Sequence, residues 1–121
     1  MSRHALAMLG ALLAATPAFA ADELTGNWKR GDGKARVRIA PCGSSLCATN
    51  TWIGDPSSGE KVGDRLVMTL TKKGEGTYTG SAHDPQRNMN FSMNIKVAQN
   101  SFTSSGCVLG GILCRTMTWS R

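Results

Sequence analysis

The chain has 121 residues, four cysteines and a formal net charge of +6 at pH 7. This length corresponds to one domain and argues against a second one. Because so short a chain buries only about two-thirds of its unfolded surface, we expect covalent cross-links to contribute to its stability.

The N-terminal residues have the pattern of an export signal. Arg3 and His4 precede a short apolar run, and Ala18-Phe19-Ala20 has the small-x-small form that signal peptidase recognises. We therefore predict a signal peptide over residues 1–20 that is cleaved near Ala20, and a single domain over residues 21–121. The expected location is the periplasm, or outside the cell after secretion.

Two alternatives involve the membrane. A lipid-anchored form lacks the cysteine that it would need at the cleavage site. An uncleaved, membrane-tethered form stays open, although the apolar run is shorter than the about 20 residues that span a bilayer. No later segment is long and apolar enough, so we predict no transmembrane segment in the mature chain. The mature chain carries 13 Lys and Arg against 8 Asp and Glu, a net charge of +5.

Apolar and polar residues alternate through most of the mature chain, which is the pattern of half-buried β-strands. The run from Met89 to Val97 alternates without a break. Dipeptides such as Asp32-Gly33 and Gly110-Gly111 indicate hairpin turns, and only residues 55–64 form a long connection. The predicted strands cover residues 25–30, 34–41, 46–53, 65–72, 76–83, 88–98, 100–108 and 112–120.

Eight consecutive antiparallel strands predict an all-β fold, a small up-and-down barrel that has no exposed sheet edge. A two-sheet sandwich is the alternative. The expected inward-facing residues, which are also the candidate lining of a ligand site, are Val37, Ile39, Met68, Leu70, Tyr78, Phe91, Met93 and Met117.

Two cysteine pairs flank predicted turns. With Ser44-Ser45 as a turn, Cys42 lies opposite Cys47, and with Gly110-Gly111 as a turn, Cys107 lies opposite Cys114. Opposed Cα atoms in antiparallel strands are about 4.5–5.5 Å apart, within the 4.4–6.8 Å that a disulfide needs. Both local disulfides are therefore feasible. Four cysteines allow three connectivities, so the crossed pairings stay open, and oxidation in an exported protein competes with a zinc–thiolate site.

Several motifs together resemble a bacterial exported family, the one catalogued as domain of unknown function 2147. The motifs are Gly26-Asn27-Trp28, the run from Asp32 to Ile39 followed by Pro41-Cys42, Leu46-Cys47, the run from Gly106 to Gly111, and the ending from Cys114 to Arg121. The resemblance covers nearly all of the mature chain. The middle differs, because the segment after Trp52 is shorter and His83-Asp84-Pro85 stands where Tyr-Asp-Pro is common.

That family is similar to lipocalin-like, or calycin, barrels, which share the Gly-x-Trp opening. The resemblance implies that Trp28 closes one end of the barrel and that Arg121 or Arg115 packs across its ring. Such a cation–π contact contributes about 0.5–2 kcal/mol. Trp119, in the last strand, is expected to take part in the same closure.

The barrel implies binding of a small molecule, since an eight-stranded barrel is just wide enough to be filled by side chains or to hold one small ligand. Methionines suit an adaptable apolar pocket, and the small residues Gly80 and Ala82 favour free space. We therefore predict a protein that sequesters or carries an apolar or amphipathic ligand, with no cofactor. A barrel filled by its own side chains is the alternative.

A second functional hypothesis starts from charge. Five of the 13 mature cations lie within ten residues, with only Asp32 against them, and form a predicted basic surface: Lys29, Arg30, Lys34, Arg36 and Arg38. Such a face would bind an anionic envelope component, namely a glycan, a lipid head group or an acidic partner. No aromatic residues alternate with these cations, so we do not expect a nucleic-acid partner.

The sequence offers no catalytic constellation. His83 is the only histidine of the mature chain, and the adjacent Asp84 is expected to cap a turn rather than orient the imidazole. No nucleophile motif, phosphate loop or paired carboxylates stand out, so we predict that the protein is not an enzyme. Met89 and Met93 share a strand face with apolar neighbours, which favours packing over a copper site.

Overall fold

The structure is a computed structural model that describes residues 22–121. The predicted signal peptide over residues 1–20 lies outside the described residues. A short 3₁₀ turn over residues 22–24 precedes the first strand. The strands are β1 (Gly26–Arg30), β2 (Ala35–Cys42), β3 (Ser45–Ile53), β4 (Arg65–Gly74), β5 (Thr77–Asp84), β6 (Met89–Val97), β7 (Ser101–Val108) and β8 (Leu113–Ser120). Two further 3₁₀ turns cover Pro56–Ser58 and Leu109–Gly111.

The eight strands form a closed antiparallel barrel in sequence order. Each strand pairs with the next one, and β1 pairs with β8 through Lys29–Ser120 and Arg30–Trp119. Closure of the barrel pairs the backbone groups of the two edge strands, β1 and β8. A sandwich would leave its strand edges unpaired. The predicted up-and-down barrel is thus confirmed, and the architecture is consistent with a lipocalin-like fold. Within residues 22–121, no helix has the length and apolar character to cross a membrane.

Both predicted disulfides are present, Cys42–Cys47 and Cys107–Cys114. Their Cα atoms are 5.7 Å and 4.0 Å apart, the second distance slightly below the expected range. The crossed pairings and the zinc–thiolate alternative are excluded. The first disulfide joins the β2–β3 hairpin at one end of the barrel, and the second joins the β7–β8 hairpin at the other end.

The predicted register is right for one of these hairpins and wrong for the other. Cys107 lies opposite Cys114, as expected. In the β2–β3 hairpin, however, Cys42 lies opposite Ser45 and Cys47 lies opposite Ala40. The turn is therefore Gly43-Ser44 rather than Ser44-Ser45, because Gly43 supplies the positive φ, 67°, that a tight hairpin turn requires. The disulfide joins the strands diagonally.

One half of the barrel is filled by its own side chains. The side chains buried there come from the N-terminal turn and from most of the strands. The core cluster consists of Leu24, Trp28, Val37, Ile39, Leu46, Met68, Tyr78, Ala82, Met93, Ile95 and Phe102. Strand alternation places these residues on the inner face, since exposed and buried positions alternate along β2 and β6.

Gly80 and Ala82 do not mark free space, contrary to the expectation from their size. A Cβ atom at Gly80 would lie 2.0 Å from the backbone oxygen of Thr69, and Ala82 belongs to the core cluster. Gly80 therefore permits a close approach of β5 to β4, which any side chain would prevent.

Candidate functional site

The other half of the barrel contains a cavity of about 620 Å³ that is open to solvent. It opens at the end that carries the β1–β2, β3–β4, β5–β6 and β7–β8 connections. The lower wall of the cavity is mainly apolar and is formed by Val37, Ala48, Leu66, Phe91, Met93, Met117 and Trp119. The cavity therefore has a volume typical of small-molecule sites, with an apolar lower wall beneath a polar and charged rim.

Trp119, at the floor of the cavity, begins a chain of three aromatic rings that runs into the filled half of the barrel. Trp119 stacks on Phe102 with ring centroids 5.8 Å apart, and Phe102 meets the edge of Trp28 at 4.6 Å. The Trp119 indole N–H donates to Ser104 Oγ at 3.0 Å, which satisfies the only polar atom of the indole. These contacts form a rigid floor, because buried aromatic pairs favour such stacked and edge-on arrangements.

One side of the cavity rim is an ion-pair cluster centred on Arg30. The guanidinium donates to both carboxylate oxygens of Glu60, at 2.6 and 3.1 Å, and to Asp32 at 3.0 Å. Hydrogen bonding from Arg30 lowers the pKa of Glu60, whereas the pKa of Asp32 is lowered first by the Lys34 backbone N–H and then by Arg30. Both carboxylates are therefore ionised and engaged.

A second rim cluster is centred on Arg87. Its guanidinium donates to Asp84 at 3.0 Å and lies 3.7 Å from a carboxylate oxygen of Asp64. Burial raises the pKa of Asp84, but hydrogen bonds from Arg87 and Gln86 more than offset this effect, so its pKa lies below the usual range. Asp84 caps the β5–β6 turn by accepting from the backbone N–H groups of Gln86 and Arg87.

Arg115 lines the cavity without an ion pair. It lies opposite Gly106 in the β7–β8 register and on the same strand face as Met117 and Trp119. The family resemblance implies a role for Arg115 only as a possible partner of the Trp28 ring. The alternation Arg115-Thr-Met117-Thr-Trp119 was the signal that could have placed it inside the barrel.

The cavity brings together only half of the predicted lining set. Val37, Phe91, Met93 and Met117 line it. The other four residues, Ile39, Met68, Leu70 and Tyr78, pack in the filled half of the barrel and do not line the cavity. Their inward orientation agrees with the strand pattern, but a strand pattern does not show at which depth the barrel is filled.

The filled end is closed around Trp28, which is 2% exposed. Its indole N–H donates to the Leu24 backbone oxygen at 2.9 Å. The Arg121 guanidinium lies 4.2 Å from the ring centroid and donates to the backbone oxygens of Glu23 and Thr25. Thus Arg121, not Arg115, lies across the Trp28 ring, and Trp119 lies at the cavity floor instead of at this end.

The predicted basic surface needs one correction. Lys29, Lys34, Arg36 and Arg38 are exposed. Arg30 is not part of this surface, because Trp28 faces inward and strand alternation therefore turns Arg30 inward as well, to the cavity rim.

Arg36 lies 5.4 Å from the centroid of the Trp52 ring, which is exposed beside it. A shallow groove of about 430 Å³ borders this surface, lined by Asn27, Trp28, Lys29, Arg36, Thr51, Ser120 and Arg121.

The described residues show no metal cluster: residues 22–121 contain no group of three His, Cys, Asp or Glu side chains placed to hold an ion. His83 Nδ1 pairs with Asn90 Oδ1 at 2.8 Å, and Asp84 serves the adjacent turn. Met93 is buried in the core cluster, while Met89 is exposed at the start of β6.

Fold and cavity together define a closed, eight-stranded antiparallel barrel with an open cavity, consistent with the lipocalin-like class. The chain belongs to a family described as uncharacterized protein conserved in bacteria (DUF2147), whose profile matches residues 26–121. A search of curated proteins and a search of solved structures found no match.

Proposed function

We propose that this protein binds a small amphipathic molecule in the open half of its barrel and sequesters or carries it in the periplasm or outside the cell. The observation that carries the proposal is the division of the barrel interior. One half is packed, while the other keeps about 620 Å³ open above an aromatic floor. Small-molecule sites have volumes of about 300–1,000 Å³ and mainly apolar walls with a few polar groups.

The distribution of polar groups supports an amphipathic ligand. Apolar side chains line the lower wall, whereas ion pairs of Arg30 and Arg87 surround the mouth. An apolar segment bound below the rim gains about 0.8 kcal/mol for each CH₂ group removed from water. A polar group of the same ligand would stay at the charged rim, where its desolvation is small.

The surface around the mouth also suits such a ligand. Val62, Met89, Ile112 and Leu113 are exposed large hydrophobic residues, and each lies in or next to a connection at the open end. An apolar molecule that approaches this end meets hydrophobic surface before it enters the cavity.

The predicted export signal and the two disulfides support an extracytoplasmic role. Disulfides persist in oxidising compartments such as the bacterial periplasm.

Native mass spectrometry of the protein purified from the periplasm, before and after denaturation, tests the proposal. We expect a bound small molecule to appear as a mass difference that denaturation removes. The Gly106→Leu variant should lose it, because a Cβ atom at Gly106 already lies 3.1 Å from Met93 Sδ and a leucine side chain would enter the cavity. Gly74→Leu is the matched control, since a Cβ atom at Gly74 meets nothing within 4 Å.

Titration with the neutral fluorescent probe N-phenyl-1-naphthylamine complements this experiment. The wild-type protein should bind the probe and Gly106→Leu should bind it weakly, with circular dichroism reporting that both variants are folded. Absence of a co-purified molecule together with absence of probe binding to the wild type would refute the proposal.

A second candidate function is binding of an anionic envelope component at the basic surface. Lys29, Arg36 and Arg38 point outward from neighbouring strands, and among the described residues none of the three forms a salt bridge. Clustered, unpaired cations attract anions, and the attraction weakens with salt. Sedimentation with vesicles containing phosphatidylglycerol, compared with pure phosphatidylcholine vesicles, tests this function. Replacing Lys29, Arg36 and Arg38 together by glutamine should abolish this binding. Equal binding of the wild type to both vesicle types would contradict the second candidate function.

A further inference from the structure

Arg115 is an exposed cation at an inward register position of the cavity wall, and it has no salt-bridge partner among the described residues. It lies opposite Gly106, and a Cβ atom built at Gly106 would contact Met93 Sδ, so this pair of positions faces the barrel interior. Among residues 22–121, no salt bridge or side-chain hydrogen bond involves the Arg115 guanidinium.

The acidic residues of the cavity are already engaged elsewhere. Asp32 and Glu60 bind Arg30, and Asp64 and Asp84 contact Arg87. Arg115 is therefore left as an unneutralised positive charge on the wall. Arg65 also borders the cavity, but it occupies the outward register of β4, since its neighbour Leu66 is the residue that packs against the core.

Below Arg115 the wall is apolar. Met117 and Trp119 follow it on the same face of β8, and Trp119 reaches the aromatic floor. Trp119 follows Arg115 by four positions in the extended strand, a distance of about 13 Å along β8. The cavity thus presents Arg115, a cation without a salt bridge, above an apolar channel that is long enough for a short acyl chain or a comparable hydrophobic group.

From this arrangement, and on the basis of the proposed function, we infer that the ligand is an amphipathic anion whose acidic head group pairs with Arg115 while its apolar part lies against Met117, Met93 and Trp119. A guanidinium offers several N–H donors in a planar fork, which matches the two oxygens of a carboxylate. Among residues 22–121 no acidic side chain forms a salt bridge with Arg115, so no such ion pair must break when the ligand binds.

Arg115 therefore sets specificity for charge, and the apolar wall sets specificity for size. A neutral molecule with the same apolar part should still bind, but more weakly. Hydrogen bonds to charged groups contribute about 1.5–3 kcal/mol, which corresponds to a preference of about tenfold or more for the anion.

The test uses decanoate and decanol, which share one alkyl chain and differ in charge, as competitors of N-phenyl-1-naphthylamine on the intact, oxidised protein. For the wild type we expect affinity for decanoate that is about tenfold or more above that for decanol. In Arg115→Met this preference should disappear while decanol affinity stays within about twofold. Arg115→Lys should keep part of the preference.

Lys96→Met is the matched control, because Lys96 is an exposed cation on the outer face of β6 and its removal changes the net charge equally. This variant should keep the full preference for decanoate. Retention of the preference in Arg115→Met, or an equal loss of decanoate and decanol binding, would overturn the inference and leave the ligand-binding function standing. Failure of the wild type to bind the probe and both competitors would overturn the proposed function itself.

Discussion

Trp28 illustrates at the residue scale how one side chain closes the barrel. It contacts Leu24 through a hydrogen bond, Phe102 edge-on and Arg121 across its face. Because this side chain is almost fully buried, Trp28→Ala should lower the free energy of unfolding by about 3–5 kcal/mol, measured by urea denaturation.

Trp52 provides the control for that prediction, since it is exposed and contacts Arg36. Trp52→Ala should change stability by about 0.5 kcal/mol or less. If Trp28→Ala does not fold, the milder variant Trp28→Phe replaces it in the comparison. Trp28→Phe should still lower the free energy of unfolding more than Trp52→Ala does. Equal effects at positions 28 and 52 would contradict the closure that the structure shows.

Asp84 leads to a prediction about pH. Its carboxylate accepts hydrogen bonds from Arg87, Gln86 and the backbone of the β5–β6 turn. Replacing it in Asp84→Ala should cost about 1–3 kcal/mol at neutral pH, because the donors lose a charged acceptor. Urea denaturation of both proteins over a range of pH measures the difference.

The sign of this pH dependence follows from the direction of the pKa. The folded protein holds the pKa of Asp84 below its unfolded value, so Asp84 contributes stability above about pH 4, and the contribution is lost as pH falls through the folded pKa. The stability difference between the wild type and Asp84→Ala should therefore shrink in acid. A difference that stays constant down to about pH 2 would refute this role.

Residue faces were largely predictable, because period-two alternation fixes which side chains share a strand face. Val37, Phe91, Met93 and Met117 were assigned inward on that basis and line the cavity. The prediction that Arg30 belongs to the exposed basic surface is wrong, because the density of charge along the sequence does not show on which face of the strand a cation lies. Its partner Glu60 comes from the β3–β4 connection, and no local pattern links two residues thirty positions apart.

At the scale of elements, the close contact of β4 and β5 depends on a glycine. A Cβ atom at Gly80 would collide with the Thr69 backbone oxygen, so Gly80→Ala forces the two strands apart and should cost about 1–3 kcal/mol or more. Gly74→Ala, in open space at the end of β4, is the matched control and should be close to neutral. Thermal unfolding distinguishes the two, and similar melting temperatures would contradict the close approach.

The two disulfides make an element-scale prediction because they join hairpins at opposite ends. In the loop-entropy view, each should contribute about 2–2.5 kcal/mol to stability, so replacing either pair by serine should lower stability by about that amount. Only loss of Cys107–Cys114 should also weaken ligand binding, since this disulfide constrains the hairpin that carries Arg115. Urea denaturation and probe titration of both double variants measure the two effects.

The opposite result for those variants is informative. If loss of Cys42–Cys47 at the filled end reduced probe binding as much as loss of Cys107–Cys114, the ligand site would not lie at the open end.

The hairpins themselves were predictable from their turn residues. The β2–β3 register was not, because Gly43-Ser44 and Ser44-Ser45 are both plausible turns, and the positive φ of Gly43 decides between them.

On the scale of the whole molecule, ligand binding should be linked to stability. A ligand that binds only the folded barrel at about 100 times its dissociation constant raises the free energy of unfolding by about 2.7 kcal/mol. Decanoate should thus stabilise the wild type against urea, and Gly106→Leu and Arg115→Met should respond much less. Equal stabilisation of all three proteins would indicate that decanoate acts outside the cavity.

The sequence by itself determined the strands and most of the inward-facing set, favoured the closed barrel over a sandwich, and made the two disulfides geometrically feasible. These properties depend on alternation, turn residues and cysteine spacing, all of which are local along the chain. Only the tertiary structure decided that one half of the barrel is filled and the other open, that Glu60 neutralises Arg30, and that Arg115 has no salt-bridge partner among residues 22–121. Those outcomes depend on how side chains from eight strands and a connecting loop share one interior volume, and packing of that kind is set by residues distant in sequence.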